Sequence, residues 1–152
     1  MKNKQISIKD IKYKKKIEIV EPVNLYGCEF GKNIFVGPFV EIQKGVKIGD
    51  NTRVSSHTFI CEKVKIGKNC FLGHGVMFTN DKFIGGKRAG GDKSKWLKTN
   101  IGDNVLIGSN STILPVKVVS NCVIGAGSVV TKNISKKGIY AGNPARLIKK
   151  LK

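Results

Sequence analysis

Counting every sixth residue from Phe30 gives Phe30, Val36, Ile42, Ile48, Val54, Ile60, Ile66, Leu72 and Phe78, and all nine are apolar. In a chain that is 40% hydrophobic, chance would make about four of them so. The series breaks after Phe78, resumes at Ile101, Ile107 and Ile113, slips by one residue, and continues at Val118, Ile124 and Val130. Gly follows the lead residue at 31, 37, 49, 67, 73, 102, 108 and 125. Four residues after the lead stand small or β-branched types such as Val40, Thr52, Thr58 and Val76. Cys28, Cys70 and Cys122 occupy the same slot, which reads them as small core fillers.

The period dictates the architecture. A strand turns its side chains to opposite faces every two residues, so six residues hold one short strand and one tight corner. A helix would carry each six-residue step about 120° round its axis and scatter the leads. The triplets Gly-Lys-Asn, Gly-Asp-Asn and Gly-Ser-Asn supply residues that tolerate positive φ at the corners. Three units close a triangular coil of about 18 residues, and coils stack at about 4.8 Å with the leads in one continuous core. The expectation is therefore an all-β parallel β-helix in a single domain spanning 1–152. Residues 1–23 form an N-terminal cap, with Ile6, Ile8, Ile17 and Ile19 alternating as strands. Residues 24–135 form the β-helix, interrupted by an aperiodic loop at 82–100 that holds four Gly. Residues 136–152 form a turn and a short basic helix starting near Pro144.

Composition narrows the functional classes. No apolar run reaches the roughly 18 residues of a membrane span, and the first 20 residues lack the apolar stretch of a secretory signal. The expected location is cytoplasmic, without membrane insertion, and the four cysteines are expected as reduced thiols. The net charge of +18 invites a nucleic-acid reading. Yet 25 of the 28 cations are Lys, which recognises phosphate less specifically than Arg, and they are scattered along the chain. They read as solvated surface, and nucleic acid is not the expected partner.

Residues beyond the needs of the repeat mark the candidate site. GHGVMFTND (73–81) immediately precedes the loop, and Glu62 stands 18 residues before Asn80. Glu62, Asn80 and Asp81 are thus expected as one polar cluster on a single edge. His57 and His74 both fall at corners and are near neighbours on one edge. Trp96, the sole tryptophan, sits in the loop, where it either stacks on a base or anchors the loop.

These features resemble the hexapeptide-repeat acyltransferases, whose parallel β-helix is left-handed. The tracts NLYGCEFG, VSSHTFICE, GHGVMFTND and AGNPAR look like the branch that N-acetylates nucleotide-linked 3-amino sugars. The resemblance implies transfer of acetyl from acetyl-CoA to the 3-amino group of a dTDP- or UDP-linked 3-amino-deoxyhexose, for surface polysaccharides such as lipopolysaccharide. It implies a homotrimer with sites between neighbouring β-helices and no metal. It places Glu62, Asn80 and Asp81 beside the amine, with His57 and Trp96 near the sugar nucleotide. His74 would shape the site or act as general base. Coenzyme A would run along Gly108, Ser109, Ala126 and Gly127, with Asn143, Pro144, Arg146 and Lys149 near its adenine and 3′-phosphate. Two other readings compete: an O-acetyltransferase in which His74 deprotonates a hydroxyl, and a non-enzymatic scaffold. A zinc hydratase of the same fold needs three histidines per site, and this chain has two.

Overall fold

The computed structural model describes residues 7–151. It is a left-handed parallel β-helix of about eight turns, with 4% helix. The inward residues stack in three columns, one per face of a triangular prism. Face one carries Phe30, Ile48, Ile66, Ile101 and Val118. Face two carries Val36, Val54, Leu72, Ile107 and Ile124. Face three carries Leu25, Ile42, Ile60, Phe78, Ile113 and Val130. All of these leads are buried and share one hydrophobic core. The slot four residues after the lead is buried as well, including Val40, Thr52, Thr58 and Val76.

The glycines after the leads serve a different purpose from the one the triplets suggest. A Cβ on Gly49 would lie 2.7 Å from the Gly67 carbonyl oxygen, and one on Gly73 would lie 2.6 Å from the Ser109 nitrogen. Their φ values are ordinary, so they are required by close approach of the next coil rather than by left-handed backbone. Positive φ falls instead on the asparagines at the corner between faces one and two: Asn33, Asn51, Asn69, Asn104 and Asn121. Each side-chain amide but the last donates to the side-chain oxygen of the next Asn at 3.0–3.1 Å, which makes a ladder of five residues joined by four hydrogen bonds. Asn is enriched in this conformation because its short polar side chain bonds locally.

At the N-terminus, strands Ile8–Lys9 and Lys12–Ile19 extend the sheets. The longer one pairs in parallel with Glu29–Val36, and Ile17 and Ile19 pack against the core. Ile6 lies outside the described residues. The helix expected near Pro144 does not form. Residues Arg146–Lys150 are a strand, antiparallel to Gly138–Ala141, after a turn at Gly142 with φ of +100°. These five residues are all exposed, so a helix there would bury no apolar stripe. So short a helix cannot sustain itself. A strand instead satisfies its backbone on the open edge of the last coil.

Candidate functional site

The interruption after Phe78 leaves the prism at the corner between faces three and one. Regular pairing resumes at Thr99, whose amide donates to the Lys63 carbonyl. Between them the chain makes two single turns, Ile84–Gly86 and Lys93–Lys95. Glu62 and Asn80 meet at the root of this loop: the Asn80 Nδ2 donates to the Glu62 carbonyl oxygen at 3.3 Å. Asn80 also accepts the Leu97 amide on its backbone oxygen, so it joins coil to loop. Glu62 Oε1 receives Lys93 Nζ at 2.6 Å.

Asp81 adjoins the pair but faces the loop. Its Oδ1 accepts the Phe83 amide at 2.9 Å and its Oδ2 the Ala89 amide at 2.7 Å. With both oxygens engaged, Asp81 shapes the loop, and Glu62 is the carboxylate of this corner with an oxygen to spare. Trp96 is half-buried, its ring 5.4 Å from Lys93 Nζ.

Several participants escaped the sequence reading. Lys63 Nζ reaches under the loop to the carbonyls of Lys93 and Trp96, the latter at 2.9 Å. Its backbone sits at φ +70°, whereas Gly45, one coil earlier, takes the same corner at +79°. A lysine where the preceding coil has glycine was the available signal. Gln43 is the second: its Oε1 accepts the Glu62 amide at 3.2 Å while its Nε2 donates to Glu41. Tyr26 completes the group. Burial, then the carboxylates of Glu41 and Glu62, push its hydroxyl above the usual tyrosine pKa.

The histidines occupy the corner between faces two and three. The His57 ring stacks on Phe39, with centroids 4.9 Å apart. His74 is exposed; its amide donates to Ser109 Oγ at 3.1 Å, and its carbonyl accepts the Asn110 amide. In the direction of the chain, His74 is followed along this edge by Ser109 and Ala126, each two residues after a face-two lead. Gly108 lies beneath Ala126, and Gly127 donates its amide to Ser109. The structure thus joins the histidines to the small-residue edge. It does not join them to Glu62 and Asn80, which stand across face three. Asn143, Pro144, Arg146 and Lys149 lie exposed on the terminal hairpin.

The four thiols are buried, and burial pushes Cys28 up to about 11 and Cys61 up to about 12. At neutral pH they are protonated and poor nucleophiles. Among the described residues, no group of three His, Cys, Asp or Glu could hold a metal ion. Among them no helix is long and apolar enough to cross a membrane.

A β-helix with a corner-borne loop and an open edge of small residues defines a class, the hexapeptide-repeat proteins. Comparison with known families agrees. The model described as bacterial transferase hexapeptide (six repeats) matches residues 27–62. The hexapeptide repeat of succinyl-transferase matches 63–77 and 98–132. Together they span more than half of the chain, which belongs to the hexapeptide-repeat transferase family. The bifunctional protein GlmU of Acetivibrio thermocellus is 36% identical over 124 residues, or 81% of this chain and 24% of that protein. The chain therefore spans about a quarter of the length of the curated relatives it matches. Among solved structures, a point mutant of AntD, an N-acyltransferase from Bacillus cereus in complex with dTDP and coenzyme A, superposes with a TM-score of 0.82. It is 21% identical, and the match covers 94% of this chain and 84% of that one. A maltose O-acetyltransferase from Clostridium difficile 630 superposes at 0.63 with 26% identity, covering 96% of this chain and 70% of that one.

Proposed function

We propose that the protein is a cytoplasmic, acetyl-CoA-dependent N-acetyltransferase acting on the amine of a nucleotide-linked 3-amino-deoxyhexose. The observation that carries this reading is the edge His74–Ser109–Ala126. Beyond His74 it offers only the small side chains of Ser109 and Ala126, at least partly exposed and uncharged, which leaves room for a long, flexible pantetheine arm to lie along it. The loop root supplies the acceptor side. Asn80 and Glu62 orient the amine, and the lysines of the loop favour a nucleoside diphosphate.

The two halves sit on different corners, so the reading requires a homotrimer in which one copy's loop root faces its neighbour's histidine edge. The outward residues of face two favour such association: Phe71 and Leu106 are 38% and 46% exposed, beside Val123. In the reaction the amine attacks the thioester carbonyl, and a backbone N–H at the corner stabilises the tetrahedral oxyanion. The C–S bond then breaks, and the coenzyme thiolate leaves with the proton shed by nitrogen, directly or through Glu62. An amine with a pKa near 8 is already partly neutral at pH 7, so no strong base is required. A hydroxyl acceptor is the second reading, favoured by the exposed His74 and the likeness to a maltose O-acetyltransferase.

Acetyl transfer to a panel of nucleotide-linked 3-amino, 4-amino and hydroxy sugars tests the substrate class. Paired variants test the mechanism. Asn80→Ala should lower kcat/KM by about a hundredfold, the cost of misplacing reacting atoms by about 1 Å. His74→Ala should lower it less than tenfold. A loss of about 10²–10⁴-fold in His74→Ala, beside near-normal Asn80→Ala, would replace the amine mechanism with general-base attack by a hydroxyl.

A further inference from the structure

The lysines of the regular coils, scattered in the sequence, are brought by the coil period onto one face and its two corners, whereas those of the loop and the terminal hairpin lie apart. Strand register makes an unbroken outward column on face one: Lys12, Glu29, Lys47, Lys65, Asn100 and Lys117. The four lysines are exposed, and Glu29 is paired to Lys47 at 2.8 Å. Lys32 and Lys68 flank this column at the asparagine corner, where Asp50 and Asp103 accept their backbone amides, and Lys44 and Lys132 flank it at the loop corner.

The other two faces differ. Face two presents Phe35, Arg53, Phe71, Leu106, Val123 and Ile139; Arg53 lies over the Phe35 ring at 3.6 Å, and Lys149 of the terminal hairpin stands opposite Ile139. Face three presents Asn24, Glu41, Phe59, Met77, Thr112 and Val129. The edge through Ser56, His74, Ser109 and Ala126 bears no lysine or arginine.

The column opposes its own folding. Lys47 and Lys65 are direct register partners one strand spacing apart, as are Lys15 and Lys32 below them. Like charges directly opposite in a sheet are destabilising. Solubility alone would be served by charge spread over all faces or of mixed sign. A self-repelling flat array gains stability only when an extended negative surface covers it.

We propose that face one is a docking surface for an anionic phospholipid bilayer. Shape and residue type select this occupant. A flat face touches a cylindrical duplex along one line, whereas it lays all its columns on a plane at once. The outward column has no arginine to fork onto phosphates or base edges, and no aromatic for bases to stack upon. Lysine ammoniums are the point charges that a diffuse anionic headgroup layer attracts. A second copy of this face is repelled by its own sign. The inference is independent of the reaction proposed above, because no residue of the loop root or histidine edge takes part.

The test is sedimentation of the full chain with phosphatidylcholine vesicles, with and without phosphatidylglycerol, over a range of salt. Binding is expected only with phosphatidylglycerol and is expected to fade as salt rises. Lys47→Gln/Lys65→Gln/Lys117→Gln should weaken it about a hundredfold, since each surface lysine contributes roughly a factor of five. Lys82→Gln/Lys87→Gln/Lys98→Gln removes the same charge from the loop and should weaken it less than threefold. The face-one triple should melt within a few degrees of the parent in vesicle-free buffer, because relief of the Lys47–Lys65 repulsion offsets loss of the Lys47–Glu29 pair; this confirms that it folds. Equal losses from the two triples would mean attraction by net charge and would overturn the assignment. So would binding to neutral vesicles, or duplex DNA that displaces the protein from phosphatidylglycerol vesicles at physiological salt.

Discussion

At the scale of single residues, Lys63 combines a strained backbone with a side chain that has a definite task. A non-glycine residue in the left-handed region costs about 1 kcal/mol or more. Here the cost is offset by two charge-assisted bonds from Nζ to loop carbonyls, weakened by partial exposure. Lys63→Gly relieves the backbone and releases the loop, whereas Lys63→Met keeps the strain and releases the loop. Thermal stability should therefore fall by about 1–2 kcal/mol in Lys63→Met and remain near the parent in Lys63→Gly. Amide exchange at Trp96 and Leu97 should accelerate in both. Unchanged exchange in both variants would show that the lysine does not hold the loop. The same residue shows why the site was only partly legible. The 18-residue spacing of Glu62 and Asn80 predicts their meeting, because register is arithmetic. The loop has no period, so which of its groups answers each carboxylate was not deducible. Asp81 accordingly turned out to hold loop amides, and Lys93 to be the partner of Glu62.

At the scale of the coil, the repeat predicted the strands, the core and the interruption, because each lead must point inward for the next coil to stack. The division of labour at the corners was less visible. Gly and Asn are both tolerant of positive φ, and only the stacked coils show that Asn carries the φ while Gly permits the contact. Gly49→Ala would press a methyl group against the backbone of Gly67 and Lys68, which cannot move aside as a side chain end could. We expect it to cost about 2 kcal/mol or more. Asn69→Gly keeps the corner conformation and loses two ladder hydrogen bonds, whereas Asn69→Ala loses both and adds strain. Thermal melts should rank the parent first, then Asn69→Gly, then Asn69→Ala. A neutral Gly49→Ala, or Asn69→Ala more stable than Asn69→Gly, would contradict this account. The C-terminal segment was misread because a basic stretch after Pro carries no period at all, and the open edge of the last coil decided its conformation.

At the scale of the whole molecule, the three faces carry three different chemistries, and the proposed reaction links the two corners that bound face three. A single prism holds Glu62 and Asn80 on one corner and His74 on another, with the width of face three between. In the proposed reaction a second copy supplies the histidine edge that meets a loop root, so trimer formation and activity should be lost together. Phe71 and Leu106 are register partners at the centre of face two, already about half covered. Burying the remainder contributes roughly 2–4 kcal/mol for the pair at each interface. Phe71→Glu/Leu106→Glu removes that contribution and places carboxylates where they would have to be desolvated. Light scattering should report the mass of a trimer for the parent at micromolar concentration and of a monomer for the double variant. Circular dichroism should be unchanged, since both side chains point outward and the core leads are intact. Acetyl transfer in the double variant should fall by at least a hundredfold. A monomeric double variant with full activity would place a complete site within one prism. A parent protein that is itself monomeric and active would remove the need for the partner corner altogether.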